Sequence, residues 1–132
     1  MTREAWHGRV IGGRFRLDAK LGRGGYGEVF RARQLSVDRD VALKLVRPKF
    51  ANDAAVRRRF EREARLASRI RHPNAVRVID FGEDGNELFL VMELVEGATI
   101  KQRGGTQSTA EVRTLALGIA RALQAAHRVG VV

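Results

Sequence analysis

Cysteine is absent from the 132 residues. That excludes a disulfide framework and thiolate chemistry, and makes the reducing cytoplasm the expected setting. No apolar run approaches the roughly 18 residues needed to cross a bilayer as a helix, so no membrane span is expected. The opening Met-Thr-Arg-Glu-Ala-Trp-His lacks the apolar stretch of a signal peptide. Internal repeats and low-complexity tracts are missing as well. Acidic residues are outnumbered: 15 Asp+Glu against 25 Lys+Arg give a net charge of +10, which keeps nucleic acid and anionic membrane among the conceivable partners. The length suits one small domain, or a compact lobe with a piece of a second.

What is present follows a β-β-β-α-β-β order. Phe15, Leu17, Ala19 and Leu21 alternate with polar residues and predict a strand that ends at a glycine loop. Residues 28–34 and 40–46 predict two more. In the third, Val41, Leu43 and Leu45 face one way while Ala42, Lys44 and Val46 face the other. A helix is expected from about Asp53 to Arg71, stopped by His72-Pro73-Asn74. Residues 75–81 and 87–95 predict two strands joined by a tight turn at Glu83-Asp84-Gly85-Asn86. Glu96-Gly97 opens a polar, glycine-containing linker to about Gln107, and Ser108-x-x-Glu111 is a capping box for a last helix to about Arg128.

Within this order stands Gly22-x-Gly24-x-x-Gly27-x-Val29, followed seventeen residues after Gly27 by Lys44 in Val41-Ala42-Leu43-Lys44. Glycines let backbone N–H groups approach phosphates closely, and a lysine supplies a compact cation for the same oxygens. A dinucleotide-binding fold also uses G-x-G-x-x-G, and Asp40 even lies at a tolerable distance for a ribose contact. That fold needs a helix to open at the third glycine, whereas Glu28-Val29-Phe30-Arg31-Ala32 reads as strand. A Walker A loop needs Gly-Lys-Ser/Thr at its end, and Glu28 follows Gly27. His7, His72 and His127 are far apart without carboxylates at ligand spacing, which argues against a metal site; His72 is expected to stabilise its loop by backbone hydrogen bonding.

The first helix carries a carboxylate in an awkward place. At about 100° per residue, Val56, Phe60, Ala67 and Ile70 form one apolar stripe with Glu63 in its middle, while Glu61 points away. A carboxylate facing a packed sheet is costly without a cation, and Lys44 is the expected partner. The alternative is that Glu63 sits at the edge of the stripe and reaches water. On the opposite side Arg58, Arg62, Arg65 and Arg69 make one basic face. A solvated face is the plainer reading. No aromatic residue interleaves with those arginines to stack a base, so no specific nucleic-acid partner is expected, and a polyanion-binding module stays a second class.

Taken together, Leu21-Gly-Arg-Gly-Gly-Tyr-Gly-Glu-Val-Phe-Arg-Ala32, Val41-Ala-Leu-Lys44, Phe60-Glu-Arg-Glu-Ala64, His72-Pro-Asn74 and Val91-Met-Glu-Leu-Val-Glu-Gly97 resemble the first half of a bacterial-type serine/threonine protein kinase over residues 12–132. The resemblance implies an α+β fold: a kinase N-lobe of five antiparallel strands plus one helix (12–97, with the hinge), preceded by an N-terminal extension (1–11). A helical stub of the C-lobe follows, a linker plus one helix (98–132). It implies that Gly22, Gly24, Gly25 and Gly27 cover the triphosphate of ATP, and that Lys44 contacts its α- and β-phosphates while Glu63 holds Lys44. Leu21, Val29 and Ala42 would sandwich the adenine, with Met92 at the back of the pocket and Glu93 and Val95 offering backbone groups to the adenine edge. Tyr26 would be a lid residue over phosphate.

Kinases of this type also need an aspartate to accept the hydroxyl proton, and an asparagine and second aspartate to hold magnesium. No aspartate follows Asp84 and no asparagine follows Asn86. The 132-residue chain by itself is therefore expected to be inactive, a truncated ATP-binding half or a non-catalytic, pseudokinase-like nucleotide-binding or interaction module. Magnesium and a protein substrate belong to the completed kinase. Val112, Leu115, Ala116, Ile119, Leu123 and Ala126 line one face of the last helix, which makes self-association of the isolated chain an expectation.

Overall fold

The structure, a computed structural model, describes residues 5–25, 27–47, 49, 52–105 and 107–131; Tyr26, expected as a lid, lies outside them. Alternation of apolar and polar residues yields β1 (Val10–Ile11), β2 (Phe15–Arg23), β3 (Gly27–Gln34) and β4 (Arg39–Val46), then helix α1 (Ala54–Ala67). After these come β5 (Val78–Asp84), β6 (Glu87–Glu93), a one-turn helix α2 (Ile100–Arg103) and the long helix α3 (Thr109–Arg128). The strands form one sheet in the order β1-β2-β3-β4-β6-β5, with every neighbouring pair antiparallel. Five are the expected strands, though β5 runs over Val78–Asp84 and not 75–81, so that Glu83 and Asp84 belong to the strand and not to the turn. The sixth, β1, falls in the residues expected as an extension, and its Ile11 is fully buried.

Period-2 alternation divides the sheet into two faces. One collects Ile11, Phe15, Leu17, Phe30, Ala32, Val41, Leu43, Phe89 and Val91, none more than 1% exposed. Trp6 closes its margin, its ring 5.2 Å from that of Phe30. Burying each large side chain there contributes about 1.5–3 kcal/mol. The other face presents Val46 and Leu88, against which Phe60 of α1 packs. The β5–β6 hairpin closes through a two-residue turn, Asp84 pairing with Glu87; Gly85 supplies the positive φ of 59° that this turn demands.

Helix α1 opens at Asp53, whose carboxylate accepts hydrogen bonds from the N–H groups of Ala55 (2.8 Å) and Val56 (3.3 Å). It closes at Ser68, whose N–H donates to Ala64 O and whose hydroxyl donates to Arg65 O at 2.6 Å. The helix thus ends four residues short of Arg71, and Ile70 drops out of it. In the loop beyond, Asn74 N–H donates to His72 Nδ1 at 3.1 Å, the local stabilising bond expected of His72.

The linker expected over Glu96–Gln107 contains α2 instead of plain loop. Thr99 accepts from Gln102 N–H while the Gln102 amide accepts from Thr99 N–H, a reciprocal capping box. The Thr99-x-x-Gln102 pattern was readable in the sequence, masked by the glycines that follow it. Helix α3 opens at Ser108 as expected, its hydroxyl accepting from Glu111 N–H at 3.2 Å.

Candidate functional site: a glycine loop, a lysine and a hinge

Residues paired across neighbouring strands share a face, so the register alone shows which candidates converge. Gly22 lies opposite Val29, Val29 opposite Lys44, and Lys44 opposite Leu90. One step along the same face, Arg31 lies opposite Ala42 and Ala42 opposite Met92. One step the other way, Gly27 lies opposite Val46 and Val46 opposite Leu88. Six candidates from four strands therefore stand on the face that receives α1. Leu21 falls at a register irregularity between Lys20 and Gly22 and is half exposed at the open edge of the same strand.

The loop glycines divide into two kinds. A Cβ on Gly27 would meet Leu45 O at 1.9 Å, so the close pairing of β3 with β4 itself demands glycine there. Gly22, Gly24 and Gly25 face open space, and none needs positive φ. The fold does not account for these three, which leave a bare backbone open to close approach. The turn is drawn together by Gly24 N–H donating to Gly27 O at 2.8 Å. Arg47, just past the end of β4, braces it, its guanidinium donating to Gly24 O at 3.2 Å.

At the opposite end of β6 the chain enters the hinge. Glu93 is held twice by Arg77: its N–H donates to Arg77 O at 2.9 Å, and its carboxylate accepts from Arg77 N–H at 2.8 Å. Val95 is 64% exposed. Arg31, on the Ala42–Met92 row, reaches Glu96 at 3.2 Å and Asp40 at 3.0 Å. Arg31 and Arg47, which frame the site, were not singled out in the sequence. The alternation of Arg31 with Val29 in one strand was the signal for the first.

The expected contact between Lys44 and Glu63 is not made. Glu63 is exposed and Glu61 half-buried, the reverse of the helical-wheel expectation, and among the described residues neither pairs with Lys44. The cause is the roll of α1. Its most buried residue is Ala64, about 100° around the helix from Glu63. Phe60 sits edge-on to Phe81 with ring centroids 6.5 Å apart, and Arg57 pairs with Glu83. Together they dock the helix by its Val56–Phe60–Ala64 side. Glu63 turns instead toward an open concavity of about 830 Å³, shared with Arg58, Arg59, Arg62, Leu66, Gly130 and Val131.

Magnesium, which the fold implies, finds no site in these residues. Among those described, no group of three or more His, Asp or Glu side chains is placed to hold a metal ion. Asp80 and Asp84 are engaged by Arg14 and Arg9.

Comparison with known proteins agrees with this geometry. The protein kinase domain family matches residues 15–132. The serine/threonine-protein kinase pkn3 of Myxococcus xanthus is 42% identical over 130 residues, 95% of this chain and 24% of that protein. PrkC of Bacillus subtilis is 43% identical over 95 residues, 72% of this chain and 15% of that protein. Among solved structures, the PknI kinase domain of Mycobacterium tuberculosis superposes with a TM-score of 0.83 at 31% identity, covering 94% of this chain and 51% of that one. The chain thus spans about a quarter or less of these curated relatives and about half of that solved kinase domain. With its sheet, loop, lysine and hinge in that order, it belongs to the protein kinase domain family, among bacterial serine/threonine kinases.

Proposed function

We propose that this lobe binds ATP between the glycine loop and the hinge, on behalf of a kinase that phosphorylates serine and threonine in proteins. The observation that carries the reading is the strand register, which gathers Gly22, Gly27, Val29, Ala42, Lys44 and Met92 on one face. In this reading Gly22, Gly24, Gly25 and Gly27 cover the phosphates and Lys44 Nζ meets the α- and β-phosphate oxygens. Leu21, Val29 and Ala42 enclose the adenine, Met92 backs it, and the backbones of Glu93 and Val95 meet its polar edge. Glu63 holds Lys44 only after α1 rolls about its axis, a shift of a kind kinases use to control catalysis. The cytoplasm is the setting that suits a chain without cysteine.

The test is calorimetric titration of the chain with ATP beside Lys44→Ala. Losing a charged hydrogen bond to phosphate costs about 1.5–3 kcal/mol, so affinity falls about tenfold or more. An equal response of both proteins overturns the site. The 132-residue chain is also expected to transfer no labelled phosphate to a basic protein, or to itself, above the Lys44→Ala control. Among the described residues none is placed to orient an attacking hydroxyl. The distance of Glu63 from Lys44 favours a second reading, a non-catalytic nucleotide-binding module; it predicts ATP binding that Glu63→Gln leaves unchanged. The apolar side of α3 is the surface through which the isolated chain self-associates.

A further inference from the structure

The arginines of this chain are treated in two ways. On the sheet, Arg9 pairs with Asp84 and Glu87, Arg14 with Asp80, Arg16 with Asp18, Arg31 with Asp40 and Glu96, and Arg33 with Asp38 and Asp40. On α1 and just past its end, the side chains of Arg58, Arg62, Arg65 and Arg69 have no ion pair or hydrogen bond among the described residues, and all four are exposed. At about 100° per residue the four lie within roughly 60° of one another, diametrically opposite the docked Phe60–Ala64 side. They form a straight row about 16 Å long, with successive steps of about 6, 4.5 and 6 Å. Arg69 continues it just past the helix end. Like charges three and four residues apart destabilise a helix; Glu61 flanks the row in a shared concavity but makes no ion pair with it among the described residues.

We infer that this row is a docking surface for an extended acidic peptide segment of a partner protein, one with Asp or Glu at alternate positions. In an extended chain, alternate side chains lie on one side about 6.6 Å apart, close to the arginine steps, and about five residues span the row. Arginine's planar fork suits carboxylates, and the same helix already engages one, since Arg57 pairs with Glu83 of the neighbouring hairpin. A nucleic-acid strand fits less well. The one aromatic residue of α1, Phe60, is turned into the sheet, leaving no platform for a base. A membrane fits less well too, because the apolar side of the helix is committed to the sheet and has nothing to insert. The inference stands independently of the nucleotide site.

The experiment is fluorescence anisotropy of a labelled peptide of about ten residues alternating Glu and Ser, with its Gln/Ser counterpart as control. Three proteins are titrated: the parent chain, the variant carrying Arg58→Gln, Arg62→Gln, Arg65→Gln and Arg69→Gln, and a charge-matched variant. The last carries Lys101→Gln, Arg113→Gln, Arg121→Gln and Arg128→Gln. Glutamine keeps helix propensity close to that of arginine, and circular dichroism verifies folding. The expected result is binding of the Glu peptide alone. It weakens at least about tenfold in the α1 variant, and within about threefold in the charge-matched one. Equal losses in the two variants would reduce the effect to net charge and overturn the inference. So would binding of the Gln peptide as tightly as the Glu peptide. Tighter binding of a single-stranded oligonucleotide or an anionic vesicle of equal charge, lost in the α1 variant, would reassign the surface to that partner and equally overturn it.

Discussion

The sheet and the helices of this chain are held by different means. Nine side chains on one sheet face are sealed from solvent, whereas α1 buries only Ala64 and α3 only Gly118 and Ala126. Arg9, Arg14, Arg16, Arg31 and Arg33 of the sheet are matched to nearby acids, while the outward arginines of α1 are not. Lys44, on a central strand between β3 and β6, is therefore fixed by the sheet itself. Glu63 goes wherever α1 goes, and α1 rests on little more than Phe60 and Arg57. The side of the proposed nucleotide site that lies on the sheet is thus built in advance, and the proposed Lys44–Glu63 link depends on where α1 sits. Local stability differs in the same way, because openings cost least where few apolar contacts must break.

Core truncation breaks this comparison most severely. Phe89→Ala removes a fully buried ring from the centre of the sheet, with an expected cost of about 3–5 kcal/mol. That is a large part of the roughly 5–15 kcal/mol a domain possesses. Phe60→Ala removes a half-buried ring and is expected to cost less than half as much. It should also speed amide hydrogen exchange in α1 while leaving β3, β4 and β6 protected. Denaturant unfolding of the two variants decides the matter. Equal costs would mean that α1 is as integral as the sheet.

A smaller expected effect sharpens the contrast at α3. Val112, Ile119 and Leu123 are each 52% exposed, and the helix touches the rest of the chain along a different stripe. There Gly118 receives Asn74, whose Nδ2 would lie 2.2 Å from any Cβ at that position. Light scattering of the isolated chain is expected to show concentration-dependent association. Ile119→Lys with Leu123→Lys should abolish it while shifting the unfolding midpoint little, since these side chains are half wet in the monomer. Persistent association in that variant would place the contact elsewhere.

What the sequence revealed and what it hid follows the same division. Strands came through because period-2 alternation is enforced on both faces of a sheet: Val41 and Leu43 against Ala42, Lys44 and Val46 sorted themselves as expected. The roll of α1 did not. Val56, Phe60, Ala67 and Ile70 make a stripe on the wheel, but its phase is set by which side chains find seats: Phe60 on Phe81 and Leu88, Arg57 on Glu83. Those seats are properties of β5 and β6, invisible from the helix alone. Ile70 drew the expected stripe toward Glu63, yet Ser68 ends the helix before it. Gly118 was legible in principle, since a glycine inside a helix costs about 1 kcal/mol against alanine and marks a close approach. What approaches it, Asn74, lies 44 residues earlier in the chain.

The smallest effect concerns the paired arginines of the sheet. Hydrogen bonds from Arg31 first and Arg33 second hold the Asp40 carboxyl below its usual value, and Arg33 does the same for Asp38. A carboxyl depressed in the folded state takes up a proton more readily once the chain unfolds. Its stabilising contribution is therefore complete above the ordinary carboxylate range and is lost as pH falls through the lowered folded value. Asp38 is exposed and Asp40 only partly buried, so the contribution is small and screened. The expected outcome is a modestly lower thermal midpoint for Asp40→Asn at neutral pH, a gap that closes as the solution is taken below about pH 4. High salt should narrow the same gap at neutral pH. The arginine row of α1 makes no ion pair with an acid among the described residues, so Arg62→Gln should show no such closing gap. A gap for Asp40→Asn that stays constant from neutral to acid pH would mean that Asp40 matters by shape or backbone contact, not by its charge.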